Sequence, residues 1–391
     1  MARQPTILVG QSGGPTAVIN CTLAGVLEAA QDARVLGMRH GIEGLISRDL
    51  VDLSNESPVQ RNRLRRTPSA ALGSCRHKLT QQDIEIILER LKQLHVDAFL
   101  YAGGNDSADT THRLSEAAQS AGLSTTFLGL PKTIDNDLPE MDHCPGFGSA
   151  ARFVAVATQE IGTDTAAMRR TDPVRFIEVM GRDAGWLAAS SSFGRRAPGD
   201  APHLVLLPEA PLSAETILER VRELHSAIGH VVVVLCENQP GPDGAVLGSD
   251  AGPEFVDSFG HAYFASPAMY LARRMQSDLG LRARVDPLSR LQRSSIALRS
   301  RVDADEAEAL GRAAVPLALG GETDQMLTLQ RVSDEPYRSE IGCTPIVRIA
   351  NRQKLLPTEF IAQDGSGPSD AYFTWLRPLV GGRMPQHRRY I

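Results

Sequence analysis

The sequence lacks most of the features that mark secreted, zinc-binding or membrane-spanning proteins. Its five cysteines are scattered, odd in number and never in a C-x-x-C arrangement, which argues against both a disulfide framework and a zinc site. No apolar stretch approaches the length that spans a bilayer. The first residues run into a strand-like segment without the apolar core of a signal peptide. We therefore expect a cytoplasmic protein that does not enter a membrane.

A strong net charge is also absent. The 391 residues carry a formal net charge of -5 and the sequence pI is about 6.1, so we expect no binding to nucleic acid or to membrane surfaces. With 42% hydrophobic residues and a mean hydropathy of -0.17, the chain can bury a large core in two or three domains. Arginine greatly outnumbers lysine, which makes each lysine at the tip of a loop notable.

One stretch concentrates the chemically active side chains. Residues 127–130 form an apolar run that predicts a buried parallel strand. Loops at the carboxyl ends of parallel strands are where α/β proteins place their chemistry, and a plain turn would need only one Asp or Asn. The loop after this strand combines one ammonium group, one hydroxyl, one amide and two carboxylates: Lys132, Thr133, Asp135, Asn136 and Asp137.

Two further segments could bind an anion. The strand predicted over residues 6–10 is followed by Gly13 and Gly14 and then by a helix predicted over residues 17–31. A glycine turn before a helix either binds a phosphate at the helix N-terminus or simply makes a tight connection, and the turn alone leaves both open. Likewise, Arg76 after small residues either reaches a phosphate or belongs to a solvated basic surface.

A third segment follows the strand predicted over residues 98–101. Two glycines end this strand, and a helix is predicted to begin at about Ser107. Asn105 and Asp106 would then cap that helix. Asp106 would also place a carboxylate where a phosphate ligand would otherwise sit at the helix N-terminus.

Repeated strand–loop–helix units predict an α/β fold with mostly parallel sheets in two similar lobes. The segment after about residue 332 shows no clear pattern, although Arg348, Arg352 and Lys354 form a basic cluster in it. Further helices are predicted over residues 81–94, 150–163 and 214–227, and further strands over 175–180, 203–207 and 231–235.

Seven ordered motifs between Ile7 and about Gly320 together resemble the phosphofructokinase family, and more closely its pyrophosphate-dependent branch. They are Gly13-Gly14 with Asn20, Gly73-Ser74-Cys75-Arg76, Gly103-Gly104-Asn105-Asp106-Ser107, Pro131-Lys132-Thr133-Ile134-Asp135-Asn136-Asp137, Met180-Gly181-Arg182, Pro208-Glu209 and Gln292-Arg293. The resemblance implies two Rossmann-like lobes with the active site between them. Residues 1–140 plus about 295–330 would form the phosphoryl-donor lobe, and about 141–294 plus about 331–391 the sugar-phosphate lobe.

The activity implied by the resemblance is a reversible, Mg²⁺-requiring phosphoryl transfer in glycolysis, from pyrophosphate to the 1-hydroxyl of fructose 6-phosphate. Asp135 is implied to be the base that accepts the hydroxyl proton. The other implied catalytic residues are Lys132, Asp106, Thr133, Asp137 and Arg182. The implied donor-binding residues are Gly13, Gly14, Arg76, Gly104 and Ser107. The implied substrate-binding residues are Thr133, Ile134, Asp135, Met180, Gly181, Arg182, Glu209, Arg284, Arg290 and Arg293.

Two positions bear on the phosphoryl donor. ATP-using relatives have glycine in place of Asp106 and of Lys132, whereas pyrophosphate-using relatives resemble this chain at both. A carboxylate at Asp106 would repel the α-phosphate of a nucleotide, and Lys132 would stabilise the leaving phosphate. An ATP-dependent 6-phosphofructokinase and a catalytically silent regulatory subunit of the same fold are the alternatives.

The chain departs from the family pattern at several positions. Asn105 replaces an aspartate that binds metal in many members, and its carbonyl oxygen can still contact Mg²⁺. Ala24 and Glu28 replace effector-binding arginines, which predicts a non-allosteric enzyme. The resemblance also implies that Arg284 reaches in from another subunit, in a homodimer or a homotetramer. Fructose 6-phosphate and sedoheptulose 7-phosphate share the same ketose end, so both sugars stay open.

Overall fold

The computed structural model describes residues 3–249, Gly252, Phe255–Val256, Ala262–Tyr263 and 265–387. The chain divides into two compact units. The first unit contains Met1–Ser149 and Arg293–Lys354, and the second contains Ala150–Gln292 and Leu355–Ile391. Element labels below follow chain order.

The first unit is built on a seven-stranded sheet. Its strands are β1 (Thr6–Gln11), β2 (Arg34–Met38), β3 (Leu50–Asp52), β4 (Ala98–Gly103), β5 (Thr126–Pro131), β12 (Gln325–Asp334) and β13 (Tyr337–Pro345). They lie in the order β13-β12-β5-β4-β1-β2-β3. The five inner strands are parallel, and β3 and β13 pair antiparallel at the two edges.

Helices cover both faces of this sheet because successive residues of a strand point to opposite faces. In β4, Leu100 packs into a core with α1 and α11, whereas Phe99 and Tyr101 pack into the core beneath α2 and α4. The helices of this unit are α1 (Ile19–Ala29), α2 (Ile42–Ser47), α3 (Pro58–Arg65), α4 (Gln81–Leu94), α5 (Asn105–Ser120) and α11 (Arg301–Leu319), with a 3₁₀ turn at Ile346–Arg348.

Helices α1 and α11 touch through their main chains. A side-chain carbon at Gly25 of α1 would clash with the main-chain oxygen of Glu308 in α11, and one at Gly311 of α11 would clash with that of Thr22 in α1. Glycine at these two positions therefore sets the close approach of the two helices.

The second unit contains a four-stranded parallel sheet in the order β11-β6-β8-β7. Its strands are β6 (Val174–Val179), β7 (Leu204–Val205), β8 (Val231–Cys236) and β11 (Ala283–Pro287), with a separate antiparallel pair of β9 (Phe255–Val256) and β10 (Ala262–Tyr263). The helices are α6 (Phe147–Ala167), α7 (Trp186–Ser190), α8 (Ala214–Ile228), α9 (Pro267–Leu279), α10 (Leu291–Ser294) and α12 (Asp370–Leu379), with 3₁₀ turns at Ser191–Gly194 and Thr358–Phe360. The first residues of α6 and the last two of α10 are counted with the first unit.

The α/β class with mostly parallel sheets agrees with the prediction, while several boundaries differ. Helix α5 begins at Asn105 with Gly104 as its N-cap, so Asn105 and Asp106 lie in the first turn and do not cap the helix. The chain returns to the second unit after Lys354 and not at about residue 331, because β12 and β13 add to the sheet of the first unit. In the part of the chain that the structure describes, no helix is long and apolar enough to cross a membrane.

Candidate active site

Three predicted loops of the first unit lie at one edge of its sheet. Strands β1, β4 and β5 are parallel neighbours, so the segments after their carboxyl ends meet at the same edge. These segments are the glycine turn (Gly13 and Gly14), the start of α5, and a loop over residues 132–146, which we call the aspartate loop. The main-chain N–H of Lys132 donates to Gly103 O at 3.0 Å and so joins two of them.

Lys132 lies directly against the glycine turn. Its side chain is 3% exposed, and Nζ donates to Gly14 O at 2.7 Å. A side-chain carbon at Gly13, where φ is +71°, would lie 3.2 Å from Nζ, and one at Gly14 would lie 3.1 Å from Nη1 of Arg293. Two cations therefore face a bare main-chain turn, an arrangement that suits a phosphate group.

The ammonium of Lys132 has a pKa close to neutral pH. Burial lowers the pKa of its ammonium to about 7, which the nearby Asp135 carboxylate opposes and the Arg293 and Arg76 guanidiniums reinforce. An anion bound among these three cations would favour the charged form and raise this pKa again.

The start of α5 presents an oxygen without a partner. Nδ2 of Asn105 donates to Arg352 O at 2.6 Å, whereas its buried Oδ1 has no hydrogen-bond partner among the residues that the structure describes. Asp106 lies next to it in the first turn of α5. Ser107 is buried and packs against Gly103, where any side chain would clash with the serine hydroxyl.

The aspartate loop holds the carboxylates of Asp135 and Asp137 on either side of a buried amide. Asn136 has a left-handed backbone with φ of +56°, is fully buried, and its Oδ1 accepts from Cys144 N at 2.9 Å. Oγ1 of Thr133 accepts from Asp135 N at 3.1 Å. Asp135 and Asp137 are only half-buried. The side chain of Ile134, which follows Thr133, is buried.

In the second unit, three of the predicted sugar-phosphate residues form a turn after β6. A fourth, Glu209, binds the main chain just after that turn. Met180 N donates to Oε1 of Gln292 at 3.0 Å. Gly181 and Arg182 both have positive φ, at +125° and +49°. Glu209 accepts from the main-chain N–H of Gly185 at 2.9 Å.

Glu209 thus binds the protein's own main chain, and it also accepts from Leu356 N at 2.8 Å. Burial raises the pKa of its carboxyl, an effect that these backbone hydrogen bonds oppose. The sequence resemblance assigns Glu209 to sugar binding. The structure shows in addition that Glu209 binds Gly185, the residue that precedes α7.

The three arginines assigned to the sugar phosphate fall in different units. Arg284 lies on β11, where its half-exposed side chain is 3.2 Å from Asp172, and Arg290 is exposed. Arg293 belongs to the first unit, with its guanidinium beside Gly14. The motif Gln292-Arg293 therefore supplies one side chain to each unit.

Sequence reasoning missed two cations that hold the aspartate loop in place: His143, within the loop, and Lys354, far from it in the chain. His143 is 2% exposed and lies between carboxylate oxygens of Asp142 and Glu306, each 2.8 Å away. Burial alone would lower its pKa, but these two hydrogen bonds outweigh burial and raise the pKa to about 9. Lys354 donates to carbonyl oxygens of the same loop. In the sequence, Lys354 stands out only as part of a basic cluster with Arg348 and Arg352.

Comparison with known proteins identifies the family. The phosphofructokinase family model matches residues 6–318. The chain is 43% identical over 387 residues to a pyrophosphate–fructose 6-phosphate 1-phosphotransferase of Xanthomonas campestris pv. campestris (strain B100), covering 97% of this chain and 92% of the relative. It is 39% identical over 392 residues to the protein of the same name from Halomonas elongata, with the same two coverages.

A solved structure is similar over nearly the whole chain. The pyrophosphate-dependent phosphofructokinase from Nitrosospira multiformis superposes with a TM-score of 0.87 at 36% sequence identity, covering 99% of this chain and 94% of that one.

Proposed function

The chain belongs to the phosphofructokinase family, and from that premise we propose that it transfers a phosphoryl group reversibly between pyrophosphate and the 1-hydroxyl of fructose 6-phosphate. The products of the forward reaction are fructose 1,6-bisphosphate and phosphate. The observation that carries the choice of donor is the position of Lys132, whose Nζ lies 2.7 Å from Gly14 O on a turn that Arg293 also approaches.

The reaction needs alignment and charge neutralisation more than covalent chemistry. Asp135 accepts the proton of the 1-hydroxyl as that oxygen attacks the near phosphorus of pyrophosphate. The bond from this phosphorus to the bridging oxygen breaks, and the electron pair leaves with phosphate. Lys132 and Arg293, both beside the glycine turn, stabilise the charge that develops on the leaving phosphate.

Mg²⁺ is the proposed metal, and the start of α5 fits it. Within the described part of the chain the buried Oδ1 of Asn105 has no hydrogen-bond partner, and an amide oxygen is a hard ligand of the kind that Mg²⁺ accepts, directly or through its water shell. Among the described residues there is no cluster of three or more His, Cys, Asp or Glu that could hold an ion, so substrate phosphates would supply further ligands. When bound, the ion neutralises phosphate charge.

Donor choice is the part of the proposal that separates it from an ATP-dependent kinase. Asp106, in the first turn of α5, puts a carboxylate at the helix end where the α-phosphate of a nucleotide would bind, and like charges repel there. Asp106→Gly is therefore expected to give measurable ATP-dependent activity, at some cost to the pyrophosphate reaction. Lys132→Gly is expected to lower turnover with pyrophosphate by roughly two to three orders of magnitude.

A coupled assay with fructose 6-phosphate and either pyrophosphate or ATP tests this directly. Initial rates are measured for the wild type, both single variants and the double variant, whose effects should not add because both side chains border one phosphate site. A wild type that prefers ATP would contradict the proposal. A folded wild type that binds sugar phosphate but is inactive with either donor would instead indicate the silent regulatory subunit. Replacing the sugar with sedoheptulose 7-phosphate in the same assay tests the second ketose.

We further propose a cytoplasmic homo-oligomer, a dimer or a tetramer, without allosteric control. Ala24 is buried, and Glu28 pairs with Arg312 at 2.9 Å, so neither position offers the cation that effector arginines provide in allosteric relatives. Half-exposed Arg284 is available to a neighbouring subunit. ADP and phosphoenolpyruvate should leave the fructose 6-phosphate saturation curve unchanged, and light scattering measures the oligomeric state.

A further inference from the structure

The segment that follows the β12–β13 hairpin contacts both helix α5 and the aspartate loop. Residues 351–354, here called the tie segment, contact helix α5 at one end and the aspartate loop at the other. Nδ2 of Asn351 donates to Oδ1 of Asp109 in α5 at 2.9 Å, and Arg352 O accepts from Asn105 at 2.6 Å. The main-chain N–H of Lys354 donates to Asp137 O at 2.7 Å.

The side chain of Lys354 makes the second set of contacts with the loop. Its Nζ donates to Met141 O at 2.9 Å and to Asp142 O at 3.0 Å. Burial lowers the pKa of this ammonium, whereas Asp142 and Asp137 raise it. Lys354 is therefore set apart from the other two members of the basic cluster, Arg348 and Arg352, which are exposed.

An apolar cluster packs beside these polar contacts and joins the same two segments. Leu138, Met141 and Cys144 of the aspartate loop pack with Ile346 and Ile349, which precede the tie segment, and all five are buried. The packing brings the two segments together but does not set the direction of any single carbonyl or carboxylate. Hydrogen bonds have that directionality.

A buried ammonium is an unfavourable group to use if stability alone is needed. Desolvating a lysine costs free energy, and a well-packed apolar side chain at such a position is often neutral or stabilising. What the ammonium of Lys354 adds is a fixed position for two carbonyl oxygens in a loop that has no helix or strand between β5 and α6.

We infer that Lys354 is a positioning residue for phosphoryl transfer. It fixes the position of the loop that carries Asp135 and Asp137 relative to Asn105 at the start of α5, and it does so without touching substrate. The inference rests on the proposed function, in which Asp135 is the base. Misplacement of a reacting group by about 1 Å can cost roughly a hundredfold in rate, so the loss of this tie is expected to appear in turnover.

The test is Lys354→Met, which keeps the length of the side chain and removes its charge and donors. We expect kcat with pyrophosphate to fall by roughly ten- to a hundredfold. KM for fructose 6-phosphate should change less than kcat, because most of the implied sugar contacts, from Met180 to Arg293, lie outside the aspartate loop. Rates are measured per folded molecule, well below the unfolding midpoint of each variant. Lys92→Met, at an exposed position in the last turn of α4, is the matched control and should match the wild type.

Hydrogen–deuterium exchange supplies a readout that needs no substrate. In Lys354→Met, peptides covering residues 132–146 should exchange faster, while peptides from β1 and α4 should not change. If the methionine variant does not fold, Lys354→Gln, which keeps an N–H₂ donor on a shorter chain, should fall between the wild type and a full loss of the tie.

Three outcomes would overturn the inference: a kcat per folded molecule within twofold of the wild type, unchanged exchange in the aspartate loop, or an equal effect in Lys92→Met. Because the exchange experiment is independent of the reaction, an inactive wild type would reject the proposed function while the position of the loop is still tested.

Discussion

The two units hold their predicted phosphate-binding cations in different ways. In the first unit, Lys132 is 3% exposed, and its ammonium is fixed on a main-chain carbonyl. In the second, Arg284 is 48% exposed and is paired with Asp172, which is shared with Arg282. A buried cation with fixed partners is preorganised for one task, whereas a half-exposed one is held weakly and screened by solvent.

The difference teaches where each kind of change should be felt. Substitutions around the aspartate loop should lower turnover or stability, since the groups there are buried and interlocked. Substitutions at the exposed arginines should mainly weaken sugar binding. Four predictions test that division, beginning with the largest expected effect.

Asp135→Asn should retain the fold and much of the substrate affinity while lowering turnover by roughly two to four orders of magnitude, the range for loss of a positioned base. The amide cannot accept the proton of the 1-hydroxyl. Steady-state rates with pyrophosphate, together with a melting curve that matches the wild type, check this. Near-normal turnover would reject Asp135 as the base and weaken the contrast between the units.

His143 should make the first unit more stable at neutral pH than at alkaline pH. Its folded pKa of about 9 lies above the unfolded value near 6.5, so the imidazolium stabilises the fold fully below pH 6.5 and loses this effect as pH rises through 9. The shift corresponds to roughly 3 kcal/mol. The charged groups around it are Asp142, Glu306 and, through Asp142, Arg331.

Urea unfolding at pH 7 and pH 10 measures this contribution. The free energy of unfolding of His143→Gln should depend less on pH over this interval than that of the wild type. His112→Gln is the control, because His112 pairs with Asp324 in the same unit but lies on α5, outside the aspartate loop. Equal pH dependence in the wild type and His143→Gln would show that the buried imidazolium contributes nothing.

Ionisation of Lys132 in the free enzyme should make kcat/KM for pyrophosphate fall at alkaline pH, which gives the pH profile a descending limb. Since burial lowers its pKa to about 7, kcat/KM for pyrophosphate should fall about tenfold per pH unit above that value as the ammonium loses its proton. Lys132→Arg stays charged throughout, so its slower reaction should lack this limb. Ionisation of pyrophosphate affects both enzymes alike. A constant ratio of the two profiles would contradict the assignment.

Arg284→Ala should have the smallest effect, a rise of roughly three- to tenfold in KM for fructose 6-phosphate with kcat within about twofold, as expected for one half-exposed charged contact. Arg282→Ala is a close control because Arg282 binds the same Asp172 and is similarly exposed. If the two variants behave alike, the effect comes from releasing Asp172, and Arg284 has no special role.

Much of this architecture could be predicted from the sequence because its signals are local. The helix predicted over residues 81–94 matches α4, whose stripe of apolar residues follows a capping box between Thr80 and Asp83. The strands β1, β4 and β5 are short, mostly apolar runs, and each has a glycine or proline among its last two residues. Their parallel order places the three loops at one edge, as expected.

The missed features depend on partners far apart in the chain. Lys354 binds Asp137 and Met141 across more than two hundred residues, and His143 binds Glu306 on α11. No periodicity reports such pairs, because each residue looks like an ordinary surface charge in its own neighbourhood. The β12–β13 hairpin was obscured for a related reason, since its outer half alternates half-buried and exposed residues and lacks a continuous apolar run.

The glycine contact between α1 and α11 limits how this enzyme can be altered. Helix α1 leads away from the glycine turn, and α11 carries Asp303 and Glu306, which bind the end of the aspartate loop. Because Gly25 and Gly311 leave no room for a methyl group, a larger residue at either position would force the two helices apart and displace the glycine turn and the aspartate loop from each other. In a library of random variants, both codons should tolerate few replacements, although neither residue belongs to the proposed site.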